Sequence, residues 1–172
     1  MQVQIEHLDN LRVINFYVPC LTVDRAVLFV PENRQSPEFV RNIFKNCAVE
    51  RCLITPELFA CKYAENAKID DVRLIVMAEL EDFLQDAQKI ENPQGEGDVL
   101  LLAQAVADSY IRPTLNRDKG DVELIGFEDS VLNLKFIGHC AGCPFAQNTF
   151  NNVVSKELKR LVPNIKEIRL EK

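Results

Sequence analysis

The sequence predicts an α+β protein built from two small α/β-sandwich-like domains. Strand-type and helix-type apolar patterns succeed each other along its 172 residues, and one polar, Pro- and Gly-rich segment interrupts them. The charge also differs between the two sides of that segment. From Val99 onward there are ten basic and nine acidic residues, whereas the rest of the chain has ten and seventeen. We therefore predict domains at residues 1–87 and 98–172, joined by a linker at 88–97.

The first domain shows strands, a helix, a hairpin and a second helix, in that order. Ser36 and Pro37 are typical of a helix start, because serine caps the first turn and proline suits its first position. Pro56-Glu57 separates two apolar runs and predicts a hairpin turn. The predicted strands are 3–5, 12–18, 26–30, 49–55 and 58–64, and the predicted helices are 37–46 and 70–87.

The second domain has the pattern α-β-β-α-β. Asp98 is a candidate cap for a helix that Pro113 ends or bends, and a second helix is predicted from Pro144 to Leu161. Two strands, 122–127 and 131–137, separate these helices, and 165–170 alternates as a last strand. This order places the loop after residue 137 at one end of a sheet.

Composition excludes several classes of function. Net charge −6 argues against general nucleic-acid binding, and apolar runs such as Val99–Ala103 are far too short for a membrane span. The first residues resemble neither a secretory signal nor an Arg-rich presequence, so a cytoplasmic location is predicted. Six cysteines then fit a reducing compartment. Four of these, scattered among apolar residues, are predicted to be small buried hydrophobes: Cys20, Cys47, Cys52 and Cys61.

The remaining two cysteines form a Cys-x-x-Cys pair between a strand and a helix start. Cys140 and Cys143 can point both sulfurs at one metal centre, and Gly142 is expected to let the backbone turn between them. Pro144 is expected to open the helix, whose free N–H groups favour thiolates. Iron–sulfur, zinc and dithiol chemistry all use such an arrangement.

Ligand counting suggests that the pair is half of a site. Zinc sites and iron–sulfur clusters usually take four protein ligands, and the chain has one such pair. Two copies in a symmetric dimer would supply four thiolates. Two alternatives stay open: a dithiol oxidoreductase that uses the same pair, and a zinc-bridged dimer that is purely structural.

Several motifs of the second domain resemble the C-terminal domain of NifU-like iron–sulfur proteins. Over Val106–Leu170 the matching features are Ile111-Arg112-Pro113, the segment 117–124, the loop 138–144 and the segment 162–168. The first domain is similar to the N-terminal domain of Nfu-type members, through Phe16-Tyr17-Val18-Pro19 and the helix that Ser36-Pro37 opens. The chain departs from the family pattern at three places: Asp9-Asn10-Leu11-Arg12 replaces an early Asn/Pro-rich turn, Lys119 stands where glycine is usual, and His139 replaces a small residue.

The resemblance implies an iron–sulfur cluster carrier that is not an enzyme. It implies a labile 4Fe–4S cluster, with 2Fe–2S as the alternative, bridged between two subunits by Cys140 and Cys143 from each. The implied partners are a second copy of the chain, client apoproteins and upstream assembly proteins, with neither nucleic acid nor membrane. His139 is expected to be a plain loop residue or, less favourably, a spare ligand that tunes the cluster.

Overall fold

The computed structural model describes residues 3–18, 21–86, 89–90 and 93–172, and it separates the chain into two compact units, Met1–Glu96 and Gly97–Lys172. Both units combine helices with sheets, so the predicted α+β class is confirmed. No helix in the described residues is both long and apolar enough to cross a bilayer. Cys20 and linker positions 88, 91 and 92 lie outside the described residues.

The described part of the N-terminal unit is a five-stranded antiparallel sheet with two α-helices. Its elements are β1 (Gln4–Leu8), β2 (Val13–Tyr17), β3 (Val27–Phe29), α1 (Glu38–Asn46), β4 (Val49–Ile54), β5 (Leu58–Tyr63) and α2 (Ile69–Gln85). The strand order is β1-β2-β5-β4-β3. The core lies between the sheet and the helices, where Phe16, Phe29 and Phe59 are fully buried.

Part of the segment predicted as a linker is held to this unit. The backbone N–H of Glu96 donates to the carbonyl of Leu28 in β3 (2.6 Å), and the side-chain amide of Asn33 donates to the carbonyl of Gln94 (3.0 Å). Proline and glycine thus mark a break between elements, although Glu96 still bonds to strand β3 and Gln94 to the turn that follows it.

The C-terminal unit is a three-stranded sheet with helices. β6 (Gly120–Glu128) and β7 (Val131–Gly138) form an antiparallel hairpin, and β8 (Glu167–Glu171) is parallel to β7. The strand order is therefore β6-β7-β8. A parallel pair needs a crossover connection, and the helical segment after the cysteine loop supplies it. Apolar residues alternate along the hairpin and are buried on one face: Val122, Leu124, Leu132, Leu134 and Phe136.

Both helical segments of this unit contain a π-helical turn. The first runs through α3 (Val99–Val106), the turn Ala107–Ile111 and α4 (Arg112–Arg117). The second runs through α5 (Ala146–Thr149), the turn Phe150–Ser155 and α6 (Lys156–Leu161). π-Helical turns are rare in proteins, and many of those that do occur lie near functional sites.

Of the two outcomes predicted for Pro113, ending or bending the helix, the structure excludes the first. Pro113 lies in the first turn of α4, directly after the π-helical turn, and the chain stays helical to Arg117. Proline breaks a helix because it lacks an N–H and its ring crowds the carbonyl four residues earlier. At this place the hydrogen bonds have already changed from the α-helical pattern, since the N–H of Arg112 donates to the carbonyl of Ala107, five residues earlier.

Lys119, which departs from the family pattern described above, adopts a backbone conformation that favours glycine. It lies in the turn between α4 and β6 with φ of 58°, in the left-handed region that costs a residue with a β-carbon energy. The turn is closed by N–H groups of Asp118 and Lys119, which donate to the carbonyls of Leu115 and Asn116. Lysine is therefore tolerated here at a local cost.

Candidate metal centre

The cysteine loop begins where β7 ends. Gly138 is the last residue of β7, and His139–Gly142 then form a single 3₁₀ turn. The backbone N–H of Cys143 donates to the carbonyl of Cys140 (3.4 Å) and closes this turn. Both cysteine side chains are partly exposed and carry free thiols. The loop therefore presents two thiols at one end of the sheet.

Gly138 sets the direction of the loop. Its φ of 64° and ψ of −142° belong to a region that only glycine adopts readily. A β-carbon at this position would also lie 2.6 Å from the carbonyl oxygen of Lys119. The same carbonyl accepts the N–H of His139 (3.2 Å), so the loop is tied to the turn before β6.

Gly142 does not have the role predicted for it. Its φ is not positive, and a β-carbon added there would meet nothing within 4 Å. The conformational requirement falls instead on Gly138, four residues earlier. Spacing within the motif indicated that a glycine is needed, but the positive φ arises where the strand turns into the loop.

The helix after the cysteines begins at Ala146, two residues later than predicted. Cys143 is extended (φ −77°, ψ 131°), as a residue before proline prefers. Pro144 and Phe145 then form a turn in which the N–H of Ala146 donates to the carbonyl of Cys143 (3.0 Å). Pro144 therefore acts by keeping Cys143 out of the helix.

The two thiols lie in different electrostatic environments. The Sγ of Cys143 accepts a hydrogen bond from the backbone N–H of Phe145 (3.4 Å), the kind of donor that ligand sulfurs use. Partial burial raises the pKa of the Cys140 thiol, and the neighbouring Cys143, Asp118 and Asp121 raise it further. In the metal-free protein Cys140 is thus held in its protonated form to higher pH.

Replacing Asp118 by asparagine is expected to lower the pKa of Cys140 because one of the nearby negative charges is removed. The rate of Cys140 alkylation by iodoacetamide, followed in the metal-free protein by peptide mass spectrometry, should rise at lower pH than in the wild type. Asp129→Asn is the matched control, since Asp129 lies in the turn between β6 and β7, at the other end of the hairpin. Identical pH profiles for the two variants would contradict the expectation.

A cleft of about 800 Å³ opens beside the cysteines. One wall is formed by the end of α4 and the following turn, and the other by the cysteine loop and the start of the second helical segment. Its lining mixes apolar, hydroxyl and charged groups, among them Leu115, Arg117, Lys119, Thr149 and Val153. The volume lies within the range of ligand sites, and both cysteines border it.

A charged network lies next to the site and was not predicted from the sequence. The Nη1 of Arg112 donates to both carboxylate oxygens of Asp121 (3.0 and 2.8 Å), and its Nε lies 3.0 Å from Oδ1 of Asp108 without hydrogen-bond alignment. Only 20% of the Arg112 side chain and 10% of the Asp108 side chain are exposed. The spacing of four residues between Asp108 and Arg112 was the one sequence signal for this network, because such residues are neighbours on a helix. No sequence signal indicated that Asp121 would pair with Arg112.

His139 is exposed, and its backbone is bonded to Lys119, as expected for a plain loop residue. It borders the same cleft as the cysteines. No group of three or more His, Cys, Asp or Glu residues in the described part of the chain is arranged to hold a metal ion. One loop therefore offers two sulfur ligands.

The described cysteines of the N-terminal unit, Cys47, Cys52 and Cys61, behave as packed side chains. Cys52 and Cys61 are buried, face each other across β4 and β5, and have pKa values raised by burial, so their prediction is confirmed. Cys47 is half-buried, and burial, followed by the charge of Glu79, raises its pKa to about 11. These thiols are poorly reactive because the thiolate is the reactive form.

Comparison with known proteins gives the C-terminal unit a family. Residues 104–169 match the family described as the NifU-like domain. This range includes the cleft, the charged network and both cysteines of the loop.

Curated relatives extend the likeness beyond this domain. Human "NFU1 iron-sulfur cluster scaffold homolog, mitochondrial" is 28% identical over 139 residues, which are 74% of this chain and 54% of the relative. The protein of the same name from Drosophila erecta is 30% identical over 129 residues, covering 73% of this chain and 42% of the relative. The chain thus spans about half the length of the curated relatives that it matches.

The crystal structure of protein SAV1430 from Staphylococcus aureus is also similar in part. It covers 46% of this chain and 99% of its own, with a TM-score of 0.41 and 15% identity. We draw no conclusion from a likeness of this degree.

The predicted cytoplasmic location is wrong, since the human and Drosophila relatives are named as mitochondrial proteins. The prediction relied on the composition of the first residues, of which Gln4–Leu8 form strand β1. The composition of a folded strand reports its packing in the sheet, whereas cellular location is encoded in separate targeting segments.

The resemblance that the motifs of Val106–Leu170 indicated is confirmed by the match over residues 104–169. The relatives in humans and Drosophila agree with it. Residues 104–169 of the chain match the NifU-like domain, and the chain is similar to the NFU1 iron–sulfur cluster scaffold homologues of human and Drosophila.

Proposed function

We propose that this chain is an iron–sulfur cluster carrier, which binds a labile cluster through Cys140 and Cys143 and transfers it to client apoproteins. The cluster is cargo, so the protein acts by binding and transfer and is not an enzyme. The names of the human and Drosophila relatives, iron–sulfur cluster scaffold homologues, support this role. The same names support a mitochondrial location.

The observation that carries the proposal is the geometry of the loop. Cys140 and Cys143 present two partly exposed thiols in one turn, bordering a cleft, with a backbone N–H already donating to one sulfur. Solvent access suits a ligand that must exchange with a client thiolate. Hydrogen bonds to sulfur stabilise the negative charge that a cluster places there.

We further propose that two copies of the chain share one cluster. The loop supplies two sulfur ligands, and 4Fe–4S and 2Fe–2S clusters both take four. A symmetric pair of loops would supply the other two. The number of ligands does not choose between the clusters, and the family resemblance favours 4Fe–4S. A shared site is labile because separation of the copies removes half of its ligands.

We also propose that the two domains have different roles. Residues 98–172 would bind the cluster, and residues 1–87 would be the N-terminal Nfu-type domain, connected through residues 88–97. The excess of acidic residues before Val99 gives the first domain a surface suited to basic regions of client or upstream assembly proteins.

The raised pKa of Cys140 argues against the alternative of a dithiol oxidoreductase. Attack on disulfides needs a thiolate near neutral pH, and redox sites with this motif lower the pKa of their reactive cysteine. Here burial and the carboxylates of Asp118 and Asp121 raise the pKa of Cys140 instead. A raised pKa does not prevent metal binding, because the metal displaces the thiol proton.

Anaerobic reconstitution with iron and sulfide tests the proposal. We expect a broad visible absorption, about one cluster per two chains by iron and protein analysis, and a shift to dimer size on gel filtration. Cys140→Ser and Cys143→Ser should each remove more than about nine-tenths of the bound cluster, because the remaining ligands cannot complete its coordination. Cys47→Ser is the matched control, since this half-buried cysteine lies in the N-terminal unit and should leave cluster binding unchanged.

Three results would contradict the proposal. A colourless monomer that forms a reversible Cys140–Cys143 disulfide and reduces insulin would indicate the oxidoreductase. Tightly bound zinc without cluster formation would indicate a structural dimer. A cluster that Cys140→Ser retains at the wild-type level would place the ligands elsewhere.

A further inference from the structure

We propose that Gly120 is the positioning residue for the thiol of Cys140, an inference that rests on the function proposed for the loop. Gly120 is buried, begins β6 and pairs with Gly138 at the end of β7. It is twenty residues from Cys140 in sequence. The hairpin brings the two together beside the cleft.

The fit between Gly120 and Cys140 leaves no room for a side chain. A β-carbon on Gly120 would lie 2.0 Å from the Sγ of Cys140, 3.1 Å from its Cβ and 3.2 Å from its backbone nitrogen. Non-bonded heavy atoms cannot approach to 2.0 Å. The φ of Gly120 is not positive, so glycine is required here by space and not by backbone conformation.

Other glycines of this unit lack such a contact. A β-carbon on Gly126, in the same strand, or on Gly142, inside the cysteine loop, would meet nothing within 4 Å. At Gly138 the obstacle is the backbone of Lys119. Among these four glycines, only Gly120 faces a proposed ligand atom.

The consequence for the site follows from rotamer geometry. A β-carbon at residue 120 would force the Cys140 side chain into another staggered rotamer and move its sulfur by about 3 Å. Metal–ligand distances tolerate only about 0.2 Å. Because Sγ ends its side chain, it can turn away from the new β-carbon. The remaining approaches to Cβ (3.1 Å) and the backbone nitrogen (3.2 Å) of Cys140 then require the chain to shift by only a few tenths of an ångström. Gly120→Ala should therefore affect the ligand more than the fold.

Two measurements on the full chain test this inference, with Gly126→Ala in the same strand as the matched control. Three-bond Hα–Hβ couplings in the metal-free protein give the χ1 rotamer of Cys140, and we expect it to change in Gly120→Ala and not in Gly126→Ala. Reconstitution with iron and sulfide should yield about ten- to a hundredfold less bound cluster in Gly120→Ala than in the control.

The outcomes separate this inference from the proposed function. If the wild-type chain binds no cluster, the proposed function fails, and the coupling measurement alone decides the steric role of Gly120. A wild-type rotamer in Gly120→Ala, or cluster yields equal to those of Gly126→Ala, would overturn the inference.

A second background covers the case in which Gly120→Ala folds poorly. Cys140→Ala removes the sulfur with which the new β-carbon collides, so Gly120→Ala should lower the Tm less in that background than in the wild type. Equal drops in the two backgrounds would show that the sulfur is not what the glycine accommodates.

Discussion

Replacing Gly138 by alanine is expected to lower the free energy of unfolding of the C-terminal unit by about 3 kcal/mol. Alanine would adopt a φ of 64° and a ψ of −142° only with strain, and its β-carbon would press against the carbonyl of Lys119 at 2.6 Å. That carbonyl belongs to the backbone, so relief requires separating the ends of β6 and β7. Hydrogen exchange in urea, followed by mass spectrometry for peptides of residues 97–172, measures this loss.

Gly126→Ala is the control for this change. It lies in the same hairpin, its φ is not positive and its added β-carbon meets nothing. The two variants make the same chemical substitution, so only the surroundings differ. Equal losses of stability would contradict the strain assigned to Gly138.

Replacing Arg112 by methionine is expected to cost about 2–3 kcal/mol of the same free energy of unfolding. Methionine has a similar length but leaves the carboxylates of Asp108 and Asp121 without their shared cation. Asp108 has only 10% of its side chain exposed, so water replaces the lost partner poorly. The urea midpoint for exchange of the 97–172 peptides gives the effect.

Arg169→Met makes a matched comparison, since Arg169 pairs with Glu167 on the exposed strand β8 and 61% of its side chain is accessible. We expect no measurable shift there, because exposed ion pairs contribute little. A double-mutant cycle of Arg112→Met with Asp121→Asn should show coupling between the two residues. Additive effects would contradict the network.

The cysteine loop shows which features of the site can be predicted from the sequence. Spacing identified Cys140 and Cys143 as a pair, and the alternation of 131–137 placed them after a strand. Their assignment as cluster ligands stays a prediction. The helix start was wrong by two residues, since Pro144 constrains Cys143 more strongly than it opens the helix.

The glycines show why the rest could not be predicted. Gly142 was assigned the turn because it lies between the cysteines, yet it needs neither positive φ nor space. Gly120 does need space, but its partner is twenty residues away and meets it only through the hairpin. Steric demands of this kind depend on contacts that local pattern does not contain.

Sequence pattern alone predicts the α+β class, the order of most elements and the position of the thiol pair. These depend on periodicity, turn residues and spacing, which act over a few neighbouring positions. Three features emerge only in the folded chain: the glycines that have no space for a β-carbon, the bond between Arg112 and Asp121, and the raised pKa of Cys140. Burial, charge and close approach are properties of residues brought together from distant parts of the chain, so they exist only once the hairpin and its helices have packed.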